Sequence, residues 1–210
     1  MNVYRWLQDA AAWVSGNTGG GGGARVPLPT IKAAADCVVS QSHADIGILV
    51  TRLTNGEITV AELEPLMQGA IKRGILANTA LAHGGYDNLT TAMIERAEKQ
   101  TLEQFDYLRN RVLALQSRVR TTGQLAARDS KDLISYSNAF RSVYENERVE
   151  AQKGIGHTEG KRVLANVAHC SDCEEAAALD WVPIDELPPI GDDQCKNSCH
   201  CVVITRKGEA

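Results

Sequence analysis

Apolar positions recur every three or four residues through most of this chain and change to strict alternation only near its end. Over residues 2–15, Val3, Trp6, Leu7, Ala10, Trp13 and Val14 share one helical face, and Asn2, Arg5, Gln8, Asp9 and Ser15 take the other. An unbroken run from Gly19 to Gly23 follows, with Pro27 and Pro29 beyond it, and such a stretch reads as a flexible tether. The sequence therefore predicts an amphipathic helix at 1–15 on a linker at 16–29. An apolar face on a tether needs a surface to cover it, so Trp6, Leu7, Trp13 and Val14 are candidate partner-docking residues.

A helical body is predicted over residues 30–153. Its first helix spans about 31–53 and stops at Asn55-Gly56. Thr59 caps the second, with Glu62 in the capping-box position, and Pro65 predicts a late start or a kink. His83-Gly84-Gly85 ends it. The third helix runs from Thr90 or Thr91 to about Arg120, with Phe105, Leu108, Val112, Leu115 and Val119 as a packing seam. A fourth, at 130–152, carries Leu133, Tyr136, Phe140, Val143 and Tyr144 on one face. After Gly154-Ile155-Gly156 the pattern changes. Residues 161–168 alternate as a strand, 180–193 are proline-rich and irregular, and 201–205 read as a closing strand. The fold class is α+β: a mainly helical body with a small β-containing module at 154–210.

Composition narrows the function classes. The apolar content of 43% is that of a globular protein, and the net charge of −4 argues against nucleic-acid binding by the whole surface. No stretch approaches the roughly 18–20 apolar residues of a membrane span, and the first residues lack the pattern of a secretory signal. The expectation is a chain made in a reducing cytoplasm. Arg109, Arg111, Arg118, Arg120, Arg128 and Lys131 form a local basic excess that can meet DNA phosphates, although mixed-charge helices commonly show one. The histidines His43, His83 and His157 have no nucleophile partner at a telling spacing, and the glycine run lacks the ending of a phosphate loop. No catalytic residues are predicted.

Cysteine usage carries the chemistry. Of six cysteines, Cys37 stands alone and Cys170, Cys173, Cys195, Cys199 and Cys201 fall in the last quarter. Cys170-Ser-Asp-Cys173 directly after a strand is a common metal knuckle, and Cys199 and Cys201, two apart on a strand, face one side. Cys195 can replace either of these if its loop folds back. The expected cofactor is a structural zinc held by four thiolates of these five, the choice being open, with His169 and His200 as lesser candidates. The rival readings are reduced buried cysteines, disulfides formed in an oxidising setting, and a redox pair, which wants a βαβ unit. Asp172, Glu174, Glu175, Asp180, Asp185, Glu186, Asp192 and Asp193 make the segment acidic, which suits a solvated loop or a basic protein partner better than DNA.

These motifs resemble the phage head morphogenesis proteins related to the F protein of phage Mu. The likeness rests on His169-Cys-Ser-Asp-Cys173, Leu179-Asp-Trp-Val-Pro183, Leu187-Pro-Pro-Ile-Gly191 and Cys195-Lys-Asn-Ser-Cys-His-Cys201. More loosely it includes Asn55-Gly-Glu-Ile-Thr59 and Ala82-His-Gly-Gly85 before Leu89-Thr90. The resemblance implies a non-enzymatic minor head protein of a virion, made in the host cytoplasm and placed at the portal vertex or head interior in several copies. Its partners would be portal, capsid or adaptor proteins, with a contact to packaged DNA, and its role assembly or genome packaging and delivery. The glycine-tethered N-terminal helix is not part of the family pattern. The alternative from another class is a zinc-ribbon nucleic-acid-binding or regulatory module.

Overall fold

The structure, a computed structural model, describes residues 28–122, 125–165, 168–192, 194 and 199–208. The expected docking residues Trp6, Leu7, Trp13 and Val14 and nearly all of the linker lie outside the described residues, as does Cys195.

Five helices make the body: α1 (Leu28–Thr54), α2 (Val60–Ala82), α3 (Thr91–Thr122), α4 (Ala127–Ile134) and α5 (Ala139–Gly154). Helix α1 begins at Leu28, before the expected end of the linker. Pro29 is compatible with this because a first-turn residue has no intrahelical use for its missing N–H. The helix closes at Gly56, φ +73°, where Glu57 N donates to Arg52 O at 2.9 Å and Gly56 N to Leu53 O at 3.1 Å. That pair of bonds satisfies carbonyls the helix end would otherwise leave open.

The capping box forms as the sequence requires: Glu62 N donates to Thr59 Oγ1 at 3.2 Å, and Thr59 N donates to Glu62 Oε2 at 2.8 Å. Helix α2 neither starts late nor breaks at Pro65. Pro65 and Ala61, whose carbonyl loses its intrahelical partner, are both exposed, so no polar group is stranded in the core. The helix ends at His83, with Gly84 at φ +81° and Gly85 N donating to Ala80 O at 2.7 Å.

Helix α2 packs against α1, α3 and α5, and its apolar face supplies Leu63, Met67, Ile71 and Ile75 to the core. Gly74 lets α5 approach: a Cβ there would stand 2.5 Å from the Phe140 ring. The seam of α3 buries Leu108, Val112 and Leu115 as its spacing predicts, with Phe105 packed at the margin.

The single fourth helix expected at 130–152 is two helices. A 3₁₀ turn at Ser135–Asn138 separates α4 from α5. Ser135 Oγ donates to Asp132 O at 2.7 Å and Ser137 Oγ to Ile134 O at 2.8 Å. Local hydroxyl bonds of this kind compete with the α-helical ladder, which the apolar periodicity alone does not report. Helix α4 also starts three residues early, where Ala126 N donates to Asp129 Oδ2 at 3.2 Å.

The module consists of β1 (Glu159–Val163), α6 (Ser171–Ala178), β2 (Val182–Pro183), a 3₁₀ turn at Ile184–Glu186, and β3 (Val202–Arg206). The sheet is antiparallel in the order β2-β1-β3, with Arg162 opposite Val203. Strand β1 thus lies before most of the expected 161–168 segment. Gly160 is buried and a Cβ there would crowd Ile184 and Leu187, so a position that alternation scores as weak is the one the packing needs. Helix α6 falls in a segment, 171–178, for which the sequence predicts no element.

The module sits on α5. Asn146 Nδ2 donates to Ile190 O at 3.0 Å, and Ile190 N donates to Asn146 Oδ1 at 2.8 Å. Arg148 donates to Val203 O, Lys153 pairs with Asp185 at 2.7 Å, and Val149 packs on the module's apolar cluster.

Candidate metal centre

Three parts of the module converge. Cys170 is the N-cap residue of α6 and Cys173 lies in its first turn. Cys199 and Cys201 lie directly before β3, and His200 between them is exposed. The two-residue alternation thus turns both thiols inward. Cys173, Cys199 and Cys201 are 1%, 2% and 0% exposed, whereas Cys170 is half-buried. His169, only a lesser candidate by sequence, completes the group: its Nδ1 and the sulfurs of Cys173 and Cys201 lie within 4.8 Å of one another.

The spacings fit a tetrahedral ion. Sulfur at about 2.3 Å and imidazole nitrogen at about 2.0–2.1 Å from a tetrahedral metal stand ~3.8 Å apart as S···S and ~3.6 Å apart as S···N. Cys173 Sγ and Cys199 Sγ are 3.7 Å apart, and Cys201 Sγ and His169 Nδ1 are 3.6 Å apart. The other ring nitrogen, Nε2, lies 2.7 Å from Ala165 O. A proton on Nε2 donated to that carbonyl leaves the Nδ1 lone pair facing the thiols, the arrangement that orients a ligating histidine. The cluster can therefore hold a metal.

The surroundings support the same geometry. Arg162 is 1% exposed, the largest fully buried side chain. Its guanidinium donates to Pro188 O and, at 3.3 Å, to Pro189 O, and Nη1 lies 4.0 Å from Cys173 Sγ. The two prolines have no N–H to place and present carbonyls to the cation, which fixes the Leu187–Gly191 segment over the cysteines. Asp172 receives both Gln194 N and Gln194 Nε2 at 3.0 Å, tying the opposite loop to the first turn of α6. Burial pushes the Cys201 thiol up, while a hydrogen bond with Cys173 works the other way. An apo site thus favours the neutral thiol, and a metal must displace its proton.

Of the expected ligands, the structure brings together Cys173, Cys199 and Cys201, with Cys170 packed against their cluster. The arrangement is not that of a redox pair in a βαβ unit, because the sheet is antiparallel. Arg162 was missed: a lone basic residue in a short strand carries no signal of burial. His169 was visible only as the neighbour of Cys170.

Much of the basic excess of α3 and α4 is ion-paired within the chain. Arg111 and Arg118 pair with Asp129, which is fully buried; Arg111 and Arg128 pair with Asp132; Arg109 lies 3.9 Å from Glu64. Among the described residues no helix is long and apolar enough to cross a membrane.

Comparison with family models, with curated proteins and with solved structures returns no match. The fold and the site define an α+β chain in which a helical body carries a small histidine- and cysteine-lined module able to hold a metal.

Proposed function

We propose that this chain is a minor structural head protein of a tailed bacteriophage, in which a zinc ion clips the C-terminal module and the helical body carries it among its neighbours. The observation that carries the reading is the ordered set of motifs from His169 to Cys201. The residues that make the resemblance are also those that build one cluster: Cys173, Leu187, Ile190, Cys199 and Cys201. A set of motifs that serves a closed, buried site suits a structural role, since such a site offers no position for substrate. Thiolates with imidazole in tetrahedral array favour zinc among the common metals. The acidic segment around the site favours protein partners over DNA, so portal, capsid or adaptor contacts are the proposed partners, and residues 1–15 the proposed docking segment.

The test is composition. Particles purified after infection, with the chain tagged at its C-terminus, are expected to contain it in several copies per head, and deletion of residues 1–23 to reduce incorporation while the soluble protein stays folded. Heads that assemble without any copy of the chain would overturn the proposal.

A further inference from the structure

We infer that the metal ligands are His169, Cys173, Cys199 and Cys201, so that the histidine takes the position the paired-cysteine motif would assign to Cys170. This rests on the metal reading above and goes beyond it by choosing the donors.

Three observations carry it. First, His169, Cys173 and Cys201 place their donor atoms within 4.8 Å of one another, with 3.6 Å between Cys201 and His169, and Cys199 Sγ joins this group through Cys173 at 3.7 Å. Second, the His169 ring is already set for ligation through Nδ1, because Nε2 is occupied by Ala165 O at 2.7 Å. With its proton on Nε2, the ring presents the Nδ1 lone pair to Cys201 Sγ, 3.6 Å away, an atom that ligation would deprotonate. Third, the residues differ in burial. The three thiols of the set are almost wholly enclosed, whereas Cys170 is half-buried at the helix N-cap, where its backbone carbonyl accepts Glu174 N at 3.1 Å and helps start α6. Cys170 packs against the cluster from the N-cap, whereas His169, one residue earlier, belongs to the group of donors within 4.8 Å of one another. Four donors close a structural zinc site, and a fifth has no place in it.

The set also gives the centre its charge. Three thiolates and a neutral imidazole around a divalent ion leave a single net negative charge, and the buried Arg162 guanidinium stands beside it, 4.0 Å from Cys173 Sγ. A buried charge of this size is tolerable where an opposite charge and hydrogen bonds meet it.

X-ray absorption at the zinc edge of the full chain reads the donor set directly. The expected result is three sulfur neighbours at about 2.3 Å and one nitrogen at about 2.0–2.1 Å. Cys170→Ala and the Cys170→Ala/Cys195→Ala double variant are expected to keep one zinc per chain with the same shell. His169→Ala is expected to lose the nitrogen neighbour and to weaken zinc in chelator competition by more than the roughly 10–100-fold typical of outer-shell changes. Four sulfur neighbours in the wild-type protein would overturn this inference and leave the metal reading intact. A nitrogen neighbour that survives in His169→Ala would overturn it as well. Protein that binds no zinc would instead sink the metal reading itself.

Discussion

In the helical body, Ile46, Leu63, Met67, Ile71, Leu108, Leu115, Leu133 and Phe140 close a continuous apolar core that contains no cysteine. Among the described residues of the module, the buried cluster joins Cys173, Cys199 and Cys201 with Leu187, Ile190 and Val203. The body buries enough apolar surface to hold itself, at roughly 1.5–3 kcal/mol for each large side chain. The module is smaller: among its described residues, buried Ala176, Ile184, Leu187, Ile190 and Val203 and strands of five, two and five residues bury little apolar surface, and a unit of this size commonly needs a cross-link. On the proposed reading, a ligated ion would supply the missing free energy, as it does where binding and folding are one process. The polar residues divide in the same way. In the body, buried Glu147 bonds His83 and Arg96; in the module, buried Arg162 donates through Nη2 to proline carbonyls near the thiols.

Removing the metal should break the comparison at its widest point. Structural zinc contributes on the order of 10–16 kcal/mol in small fingers at neutral pH, which exceeds the whole stability of a typical domain. A strong chelator is therefore expected to unfold β1, β3 and α6 while α1 to α3 stay formed. Hydrogen exchange resolved by segment reads this out: protection at 159–163 and 202–206 should vanish while that at Ile71, Ile75 and Leu108 persists. Equal loss in both regions would show one cooperative unit, and no loss anywhere would show that the thiols pack without an ion.

The body has its own polar weak point, which sharpens the contrast because it depends on pH and not on metal. Glu147 accepts from Arg96 Nη2 and faces His83 Nε2, each at 2.9 Å. Burial alone would raise its carboxyl, but the bonds from His83 and Arg96 and their charges together hold it below the ordinary value of 4.5. A depressed carboxyl contributes stability that is complete above its unfolded value and is lost as pH falls through the folded one. Glu147→Gln should thus lower stability near neutral pH and flatten the decline of wild type below about pH 4.5. The expected loss is about 2 kcal/mol, less than for a fully enclosed pair, because Arg96 is 41% exposed and can turn to water. Denaturant melts at a series of pH values measure it, and a variant that keeps the wild-type acid slope would exclude this group as the cause.

The two regions also differed in what their residues announced. The body was legible because its signals are local and repeated: Thr59 with Glu62, Gly56 and Gly84 past helix ends, and the spacing from Phe105 to Val119 all act within a few residues. Its largest misreading, a continuous fourth helix, came where hydroxyl side chains of Ser135 and Ser137 override apolar periodicity. In the module the cysteines were plain, but the partners were not. That His169 faces Cys201 across 32 positions, or that Arg162 reaches Pro188 across 26, depends on closure of the chain around a site. No periodicity encodes such a closure, and β1 was displaced for the same reason: Gly160 is needed for space, not for propensity.

Asn146 joins the two regions, so its loss should have the smallest effect on either core and the clearest effect on their connection. Its side-chain amide matches the backbone of Ile190 as a strand would, giving and receiving one bond each at 3.0 and 2.8 Å. Ile190 is 2% exposed, so Asn146→Ala leaves a buried N–H and a buried carbonyl without that partner, at a cost of about 1–3 kcal/mol. The zinc should remain, because the proposed ligands lie on α6, just before it and just before β3, and none lies on α5. The bonds of Arg148 to Val203 and Lys153 to Asp185 also remain. The expected outcome is faster hydrogen exchange at Ile190 and Gly191 with zinc stoichiometry and the body's melting midpoint little changed. If the midpoint of the body falls as far as that of the module, α5 transmits stability between them, and the division into a core-held body and an ion-held module is too sharp.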